Sequence, residues 1–235
     1  MAGGIALNSS LFGATNGTPE WAATPTTPTA PMVTIDSPTW ANVPTAKEIY
    51  WDKPGDLAKS APDAEGLTGL GPQRCVGDIA SLGATTLLFR NFDGGAALEI
   101  AEVVAVFGFD STSDATRATS MMNTWYAECE AKLRANGATH AVVTTAPDPL
   151  DLGDAGDAVS PRSATYHSLL YVDESNAQDE GSFEDVVVAQ LDDRIVWTVA
   201  SFVGNENNCH WDPGSGAPVC HVIERLPAVA EVVVG

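Results

Sequence analysis

The residues best suited to chemistry lie in the segment 205–221, NENNCHWDPGSGAPVCH. Ten residues separate Cys209 from Cys220, and they include two prolines and two glycines, a composition that favours a chain reversal and lets the two sulfurs meet. A disulfide here would stabilise the fold by roughly 2–3 kcal/mol through chain entropy. The alternative is zinc bound by both cysteines with His210 and His221. Adjacent Cys-His ligands seldom both reach one tetrahedral centre, so the spacing favours the disulfide and we expect no metal site.

The two remaining cysteines are Cys75 and Cys129. An even number of cysteines without a CxxC pair indicates two disulfides and therefore an oxidising, extracytoplasmic compartment, either secreted or at the cell surface. If Cys209 pairs with Cys220, these two form the second bond, although three connectivities are possible and the sequence leaves the choice open. Residues 1–17 have neither the basic region nor the apolar region of a signal peptide, which conflicts with that expectation.

The charge of the chain restricts its partners. There are 31 acidic and 11 basic residues, for a formal net charge of −20. Nucleic acid and anionic membrane surfaces are excluded as partners because no basic stripe could neutralise phosphates. No apolar run reaches the roughly 18 residues of a membrane span, so we expect no direct membrane insertion. The expected partner is an unknown small molecule or a component of the cell envelope, and an oligomer is possible.

Acidic residues cluster in two segments. One repeats every third residue, at Asp148, Asp151, Asp154 and Asp157. A calcium loop of the EF-hand type has a different spacing and a closing Glu, so this segment is interpreted as a solvated loop. The other is interpreted as an extension of the acidic surface and consists of Asp179, Glu180, Glu184 and Asp185. Anything that binds there should be cationic.

The sequence has no motif for nucleophilic catalysis. It lacks GxSxG, a Walker loop and GxGxxG, and its histidines have no paired Ser or Cys motif. His140 and His167 fall inside strand patterns and are interpreted as ordinary strand residues. We therefore expect no catalytic residues, no cofactor and no enzyme activity. A secreted hydrolase whose triad assembles from distant residues is the less favoured alternative.

The N-terminal part differs in composition from the rest. Thr and Pro recur through residues 18–38, which favours extended, solvated backbone over a packed core. Residues 1–39 are therefore predicted to be a flexible segment. Residues 40–235 are predicted to form a single domain.

This domain begins with an arm, residues 40–75, which has little periodicity. Its aromatic residues Trp40, Tyr50 and Trp51 are predicted to dock on the main body, because aromatic side chains usually contribute apolar contact area. An arm of this kind also permits a second function. The chain could be a structural surface or assembly protein that contacts a neighbouring copy through the arm.

The body of the domain is predicted to contain hairpins. Runs of branched and aromatic residues at 85–92 and 97–109 flank Asp93-Gly94-Gly95, which supplies turn residues. Further strands are predicted at 138–146, 163–173 and 183–203, and the last is divided into a hairpin at Asp192-Asp193.

A long amphipathic helix is predicted between these hairpins. It begins near Ser111, a helix-capping residue type, and ends at Asn136-Gly137. Trp125 and Cys129 are four residues apart and so share a face, which turns Cys129 toward the core. A second helix is predicted in the C-terminal tail, with Pro227 in its first turn. The fold class is α+β, a mostly antiparallel twisted sheet with one long helix packed on it and two disulfides.

Two stretches of the sequence are similar to a known family. They are the helix motif Trp125-Tyr126-Ala127-Glu128-Cys129 and the later strand pair that ends in DRIVWTVASFVGNENNC. Over roughly residues 75–235, the chain resembles the PknH-like extracytoplasmic sensor domains of actinobacterial receptor kinases and related lipoproteins. The resemblance implies an α+β domain with two disulfides and a cleft for an unidentified ligand. Two departures are the local loop formed by the later cysteines and a shorter C-terminal helix.

The resemblance also directs attention to particular residues. It implies a cleft lined by aromatic side chains at Tyr166, Tyr171, Trp197 and Phe202. Independently of the resemblance, His210 and Trp211, in the loop between the later cysteines, are further candidates for ligand binding. The sequence therefore predicts an extracytoplasmic ligand-binding or sensory module.

Overall fold

The computed structural model describes residues 37–49, 56–60, 75–93, 100–146, 149–173, 181–204 and 221–235. Its strands form one seven-stranded sheet in the order β1-β2-β3-β7-β6-β5-β4, and every neighbouring pair is antiparallel. Within the ranges that the structure describes, four α-helices accompany the sheet. The predicted α+β class is confirmed.

The first three strands form one side of the sheet. They are β1 (Asp56–Ser60), β2 (Thr86–Asp93) and β3 (Ile100–Gly108). β2 and β3 are the predicted hairpin, paired from Thr86 with Gly108 to Asp93 with Ala101. β1 is a correction to the predicted irregular arm, because DLAKS lacks the alternation that marks a strand in sequence and pairs only as a short edge strand.

The other four strands complete the sheet. They are β4 (Ala138–Thr145), β5 (Arg162–Asp173), β6 (Gly181–Leu191) and β7 (Arg194–Gly204). All four were predicted, including the hairpin turn between β6 and β7. Asp192 takes a φ of 59° in this turn, a left-handed conformation that Asp tolerates better than most residues.

The predicted long helix is present, in two parts. α1 (Thr112–Ala127) begins at Ser111, whose hydroxyl accepts a hydrogen bond from the backbone N–H of Asp114 at 3.2 Å. α2 (Cys129–Ala135) follows directly after Glu128 and ends before Gly137, which has a φ of 97° that suits glycine. The predicted start and end of the helical region are therefore confirmed.

Two further helices lie later in the chain. α3 (Gly153–Asp157) is short, and α4 (His221–Val234) is the predicted C-terminal helix. Pro227 lies inside α4 and not in its first turn, which corrects the prediction. The apolar face of α4 includes the buried Leu226 and Val229. Burial of this face offsets the backbone hydrogen bond that proline removes.

The sheet has a hydrophobic core on each face. The face covered by α1 and α2, here the α1 face, includes Phe89, Phe107 and Trp197. The face covered by α3 and α4, here the α4 face, includes Val104 and Val196. Both faces of the central strands are therefore buried. Within the described ranges, no helix has the length and apolar composition needed to cross a membrane.

The described part of the N-terminal arm packs on the α4 face. Trp40–Asn42 forms a 3₁₀ turn, and the Asn42 amide donates to the carbonyl oxygen of Val232 at 3.3 Å. Val43 is buried in the α4-face core. Trp40 stays 39% exposed, with the guanidinium of Arg90 lying 5.6 Å from its ring centroid. The predicted docking residues Tyr50 and Trp51 lie outside the described residues.

The outer edge of β4 is capped by a side chain. Arg134 of α2 donates from Nη2 to the carbonyl oxygen of Ala141 at 2.8 Å. The backbone N–H of Ala146 bonds to Tyr166 in β5, so alternation along the strand turns the backbone groups of Ala141 away from β5. Arg134 also forms an ion pair with Glu130 at 3.1 Å.

Cys75 and Cys129 form a disulfide that ties the segment before β2 to the start of α2. This bond is the pairing that the sequence favoured. Both cysteines are buried in the α1-face core. Cys209 and Cys220 lie outside the described residues, so their pairing stays a prediction.

Replacing Cys75 and Cys129 together by alanine should destabilise the domain. The bond joins residues 54 apart in sequence, and closing a loop of that length in the unfolded chain corresponds to about 4 kcal/mol of chain entropy. Urea denaturation of the double variant and the oxidised wild type measures the difference. A loss below about 1 kcal/mol would show that this bond does not constrain the unfolded chain.

Candidate ligand-binding site

The strand register places two acidic side chains on the α4 face. Glu102 in β3 pairs with Ala200 in β7, Ala200 pairs with Asp185 in β6, and Asp185 pairs with Ser168 in β5. Residues directly opposite each other in a sheet share a face, so these four form one row across four strands. Thr198, two residues before Ala200, lies on the same face. We call these five residues the acidic row.

The acidic row is buried. Glu102 is 2% exposed, Asp185 4% and Thr198 0%. The Tyr166 hydroxyl donates a hydrogen bond to Oδ1 of Asp185. Within the part of the chain that the structure describes, Oε1 of Glu102 and Oγ1 of Thr198 have no hydrogen-bond partner. Buried polar atoms are nearly always paired, and each unpaired atom costs about 1–3 kcal/mol.

Burial also changes the protonation of this row. Removal from water raises the pKa of Glu102 to about 8, so the carboxyl group is mostly protonated at neutral pH. The pKa of Tyr166 is raised as well, first by burial and then by the charge of Asp185. Both shifts reflect the small capacity of this face to stabilise negative charge.

The position of Asp185 corrects a prediction. Glu184 and Asp185 were interpreted as acidic surface, but both are buried. The reason is the central position of β6, which has β5 on one side, β7 on the other and a helix layer on each face. Glu184 therefore points to the α1 face and Asp185 to the α4 face. Asp179 and Glu180 lie outside the described residues.

The α1 face carries a second group of buried polar side chains, centred on Tyr126. Its hydroxyl accepts a hydrogen bond from Nε1 of Trp197 at 2.9 Å, and its ring stacks on His167 with centroids 4.8 Å apart. His167 contacts Oδ1 of Asn123 through Nε2 at 3.0 Å and Oγ1 of Thr145 through Nδ1 at 2.9 Å. Burial lowers the pKa of His167 to about 4, which keeps the ring neutral at physiological pH.

The aromatic residues predicted to line one cleft are divided between the two faces. Trp197 and Tyr171 belong to the α1-face core, whereas Tyr166 belongs to the α4-face core. The backbone of the sheet lies between Tyr166 and the other two. Phe202 pairs with Ile100 and Phe183 in the sheet.

The predicted loop residues His210 and Trp211 lie outside the described residues. The chain leaves β7 at Gly204, near the end of the sheet that carries the start of β3. Their role in ligand binding stays a prediction. Of the other predicted acidic residues, Asp148 is also outside the described residues, and Asp154 is an exposed residue of α3.

Glu102 and Thr198 were not predicted as site residues. A signal was present for Glu102, because it is the one charged residue in the β3 sequence IAEVVAVFG. A charged residue inside a continuous apolar run has no solvent-facing position in a doubly covered strand. Thr198 gives no such signal, since threonine is common in strands.

A surface groove of about 620 Å³ follows α1 and α2. Trp125 forms part of its wall and packs so closely on Gly77 that a Cβ there would lie 2.4 Å from the indole nitrogen. The cations that line the groove already have partners. Arg117 donates to the carbonyl oxygen of Leu82 at 2.8 Å, and Lys132 pairs with Glu128 at 3.3 Å. The groove therefore offers a partly buried indole beside two cations, one hydrogen-bonded to the backbone and one ion-paired.

No protein-family model matches the sequence, and no curated protein matches it. Among solved structures, the chain is similar to the extracellular domain of PknH from Mycobacterium tuberculosis, with 12% identity and a TM-score of 0.39, over 85% of this chain and 96% of that chain. It is also similar to the human StarD13 (DLC2) lipid transfer and protein localization domain, with 10% identity and a TM-score of 0.25, over 80% of this chain and 92% of that chain. Similarity at this level defines neither a family nor a function.

Glu102→Gln should remove a loss of stability at alkaline pH. The pKa of this carboxyl rises from about 4.5 to about 8 on folding, so the folded chain holds the proton more tightly. The stabilising effect of this shift is complete below pH 4.5 and is lost as pH rises through 8, by about 5 kcal/mol. The stability of the variant relative to wild type should therefore increase from pH 4 to 9 in urea denaturation. The exposed Glu231→Gln in α4 is the control and should show no such increase.

His167→Gln tests the dependence of stability on pH in the acidic range, between pH 7 and 4. The pKa of His167 falls from 6.5 to about 4 on folding, so its contribution to stability is complete above pH 6.5 and decreases as pH falls toward 4. The decrease amounts to about 3 kcal/mol. Denaturation curves between pH 7 and 4 should show a shallower loss for the variant than for wild type. Equal slopes, or the same change in the exposed His140→Gln, would contradict the assignment.

Proposed function

We propose that this chain is an extracytoplasmic ligand-binding or sensory module, with the acidic row as its binding site. The observation that supports the proposal is the pair of buried atoms without a partner, Oε1 of Glu102 and Oγ1 of Thr198. A folded protein loses stability by burying such atoms unpaired. A ligand that supplies both hydrogen bonds recovers that free energy. The recovered free energy then contributes to the affinity for the ligand.

We propose binding and not catalysis, in keeping with the lack of catalytic motifs. General base catalysis needs a side chain within hydrogen-bond reach of the substrate. His167 is only 2% exposed, with Asn123 at one ring nitrogen and Thr145 at the other. Its burial and its stacking on Tyr126 support a packing role for the ring.

The extracytoplasmic location is supported by the Cys75–Cys129 disulfide. Structural disulfides persist in oxidising compartments and are rare where thiols are kept reduced. Both sulfurs are buried in the core, which is typical of a structural bond and not of a redox-active one.

The assembly role through the N-terminal arm is the weaker proposal. In the described part of the arm, Asn42 bonds to α4 and Val43 is buried against the same domain. These contacts are used within the chain itself. Trp40 is exposed but already carries Arg90 over its ring, which leaves little apolar surface for a neighbouring copy.

A thermal-shift screen tests the proposed function, using soluble metabolites and cell-envelope fragments as probes. A ligand at 100 times its Kd adds about 2.7 kcal/mol, which should raise the Tm by roughly 5–10 °C for a domain of this size. Thr198→Val should itself raise the Tm by removing an unpaired hydroxyl, while it weakens the response to the ligand.

Thr119→Val is the matched control for this screen. Oγ1 of Thr119 is also buried without a partner among the described residues, but Thr119 belongs to α1. This variant should gain stability and keep the full response to the ligand. The proposal fails if no compound raises the Tm, or if each active compound acts equally on both valine variants.

A further inference from the structure

We propose that the surface groove along α1 and α2 is a separate binding site, for a small aromatic carboxylate. The carboxylate of this ligand would bind Arg117, and its ring would lie against Met121 and Trp125. The groove belongs to the α1 side of the sheet and the acidic row to the α4 face, so the inference goes beyond the proposed function. It depends on a cation without an acidic partner, on the spacing of three side chains and on an indole held in place.

The charge of Arg117 has no acidic partner. Nη2 donates to the carbonyl oxygen of Leu82 at 2.8 Å, and Nη1 lies 3.5 Å from the carbonyl oxygen of Ser81. Both acceptors are neutral. Among the residues that the structure describes, no carboxylate forms an ion pair with Arg117, and its Nε makes no hydrogen bond. The side chain is exposed, so N–H donors remain for the two oxygens of a carboxylate.

The second cation of the groove is less available to a ligand. Lys132 forms an ion pair with Glu128, whose carboxylate oxygen lies 3.3 Å from Nζ. The charged residues of the groove lining are therefore two cations and one acid, which leaves a net positive charge near Arg117.

The charge of the rest of the chain restricts the size of the ligand. The whole chain has a net charge of −20, so the surface around the groove repels a large acidic partner. A small monoanion contacts only the groove lining and avoids most of this repulsion. The groove therefore suits a small carboxylate better than an acidic protein or a nucleic acid.

Three side chains form a line along α1. Arg117, Met121 and Trp125 are four residues apart, which places them on one side of the helix over about 12 Å. Met121 is next to the guanidinium, with Sδ 3.3 Å from Nη1 of Arg117. Met121 and Trp125 are partly buried against the α1-face core. The line thus begins with a cation and continues as apolar surface, which matches a carboxylate joined to a ring by a short chain.

The indole of Trp125 is held in place by its neighbours. A Cβ on Gly77 would lie 2.4 Å from Nε1, so the ring packs directly on the backbone of Gly77. The disulfide restrains both partners, because Cys75 is close to Gly77 in sequence and Cys129 is one helical turn after Trp125. A side chain that is already ordered loses little entropy when a ligand packs on it. Aromatic rings attract each other in offset or edge-to-face contact, which favours a ring as the apolar part of the ligand.

The test follows phenylbutyrate by NMR of the Met121 methyl group and the Trp125 indole N–H at about pH 7, where the carboxyl group of the probe is ionised. Phenylbutyramide lacks the charge, phenylbutylammonium has the opposite charge and butyrate lacks the ring, all at matched ionic strength. Phenylbutyrate should shift both signals in a saturable way, with a Kd at least about tenfold below that of each analogue. Equal affinity for any analogue, or no saturable shift, would overturn the proposal. This comparison uses the wild-type chain and stands even if a variant fails to fold.

A matched pair of variants locates the carboxylate. Arg117→Gln and Lys132→Gln each remove one positive charge from the groove, but only the first removes the proposed contact. Arg117→Gln should weaken phenylbutyrate binding at least about tenfold. Lys132 is about 20 Å further along the helical region, where charges are screened at physiological salt, so Lys132→Gln should change the affinity by less than about twofold. Equal losses in the two variants, or full affinity in Arg117→Gln, would overturn the proposal.

Gly77→Ala tests the position of the indole while every side chain of the groove is kept. The added Cβ displaces the ring of Trp125, so the affinity for phenylbutyrate should fall toward that of butyrate. Thr198→Val, in the acidic row, should leave the affinity for phenylbutyrate unchanged. Full affinity in Gly77→Ala, or a loss in Thr198→Val, would show that the ligand does not bind on Trp125 in the groove.

Discussion

The central strand β6 is enclosed on all sides, and the positions of the polar residues depend on this constraint. β5 and β7 occupy its two edges, and a helix layer covers each face. Successive side chains must therefore point into one core or the other. Glu184 and Asp185, adjacent in sequence, enter opposite cores for this reason. A polar residue in β6 has to find a partner inside the protein, as Gln190 does with Oγ1 of Thr116 at 2.9 Å.

The two cores differ in how completely their buried polar groups are hydrogen-bonded. On the α1 face, Trp197, Tyr126 and His167 form a chain of contacts that extends to Asn123 and Thr145. Such a connected network favours one rigid arrangement. On the α4 face, Oε1 of Glu102 and Oγ1 of Thr198 have no hydrogen-bond partner among the described residues. Each unpaired atom lowers the stability of the folded domain. Natural proteins commonly accept a loss of this kind at a functional site.

Much of the fold could be predicted because local patterns decide it. The capping residue Ser111, the Asp192-Asp193 turn and the runs of branched and aromatic residues each act over a short stretch, and all were found in the sequence. Which core a whole strand face enters depends on the register between distant strands, whereas alternation within one strand already decides which of its residues share a face. Tyr166 and Tyr171 differ by an odd number of positions, so they point to opposite faces even though both are aromatic residues of one strand.

The candidate site could not be predicted for a related reason. Its residues come from four separate strands, and only the pairing between these strands brings them into one row. In sequence, Glu102 is a single acid in an apolar run and Thr198 is an ordinary strand residue. The helix around Pro227 shows the same limit, since burial of Leu226 and Val229 outweighs the local preference of proline.

The Arg134 contact with β4 has a consequence for the behaviour of this protein at high concentration. An uncovered sheet edge can recruit a strand from another molecule and so start ordered aggregation. The β4 sequence ATHAVVTT has neither proline nor a charged Lys, Arg, Asp or Glu to prevent this. By holding the Ala141 carbonyl, Arg134 removes a hydrogen-bond acceptor from the middle of that edge. One cation from a neighbouring helix thus blocks strand addition at the middle of this edge, in a chain with few cations to use.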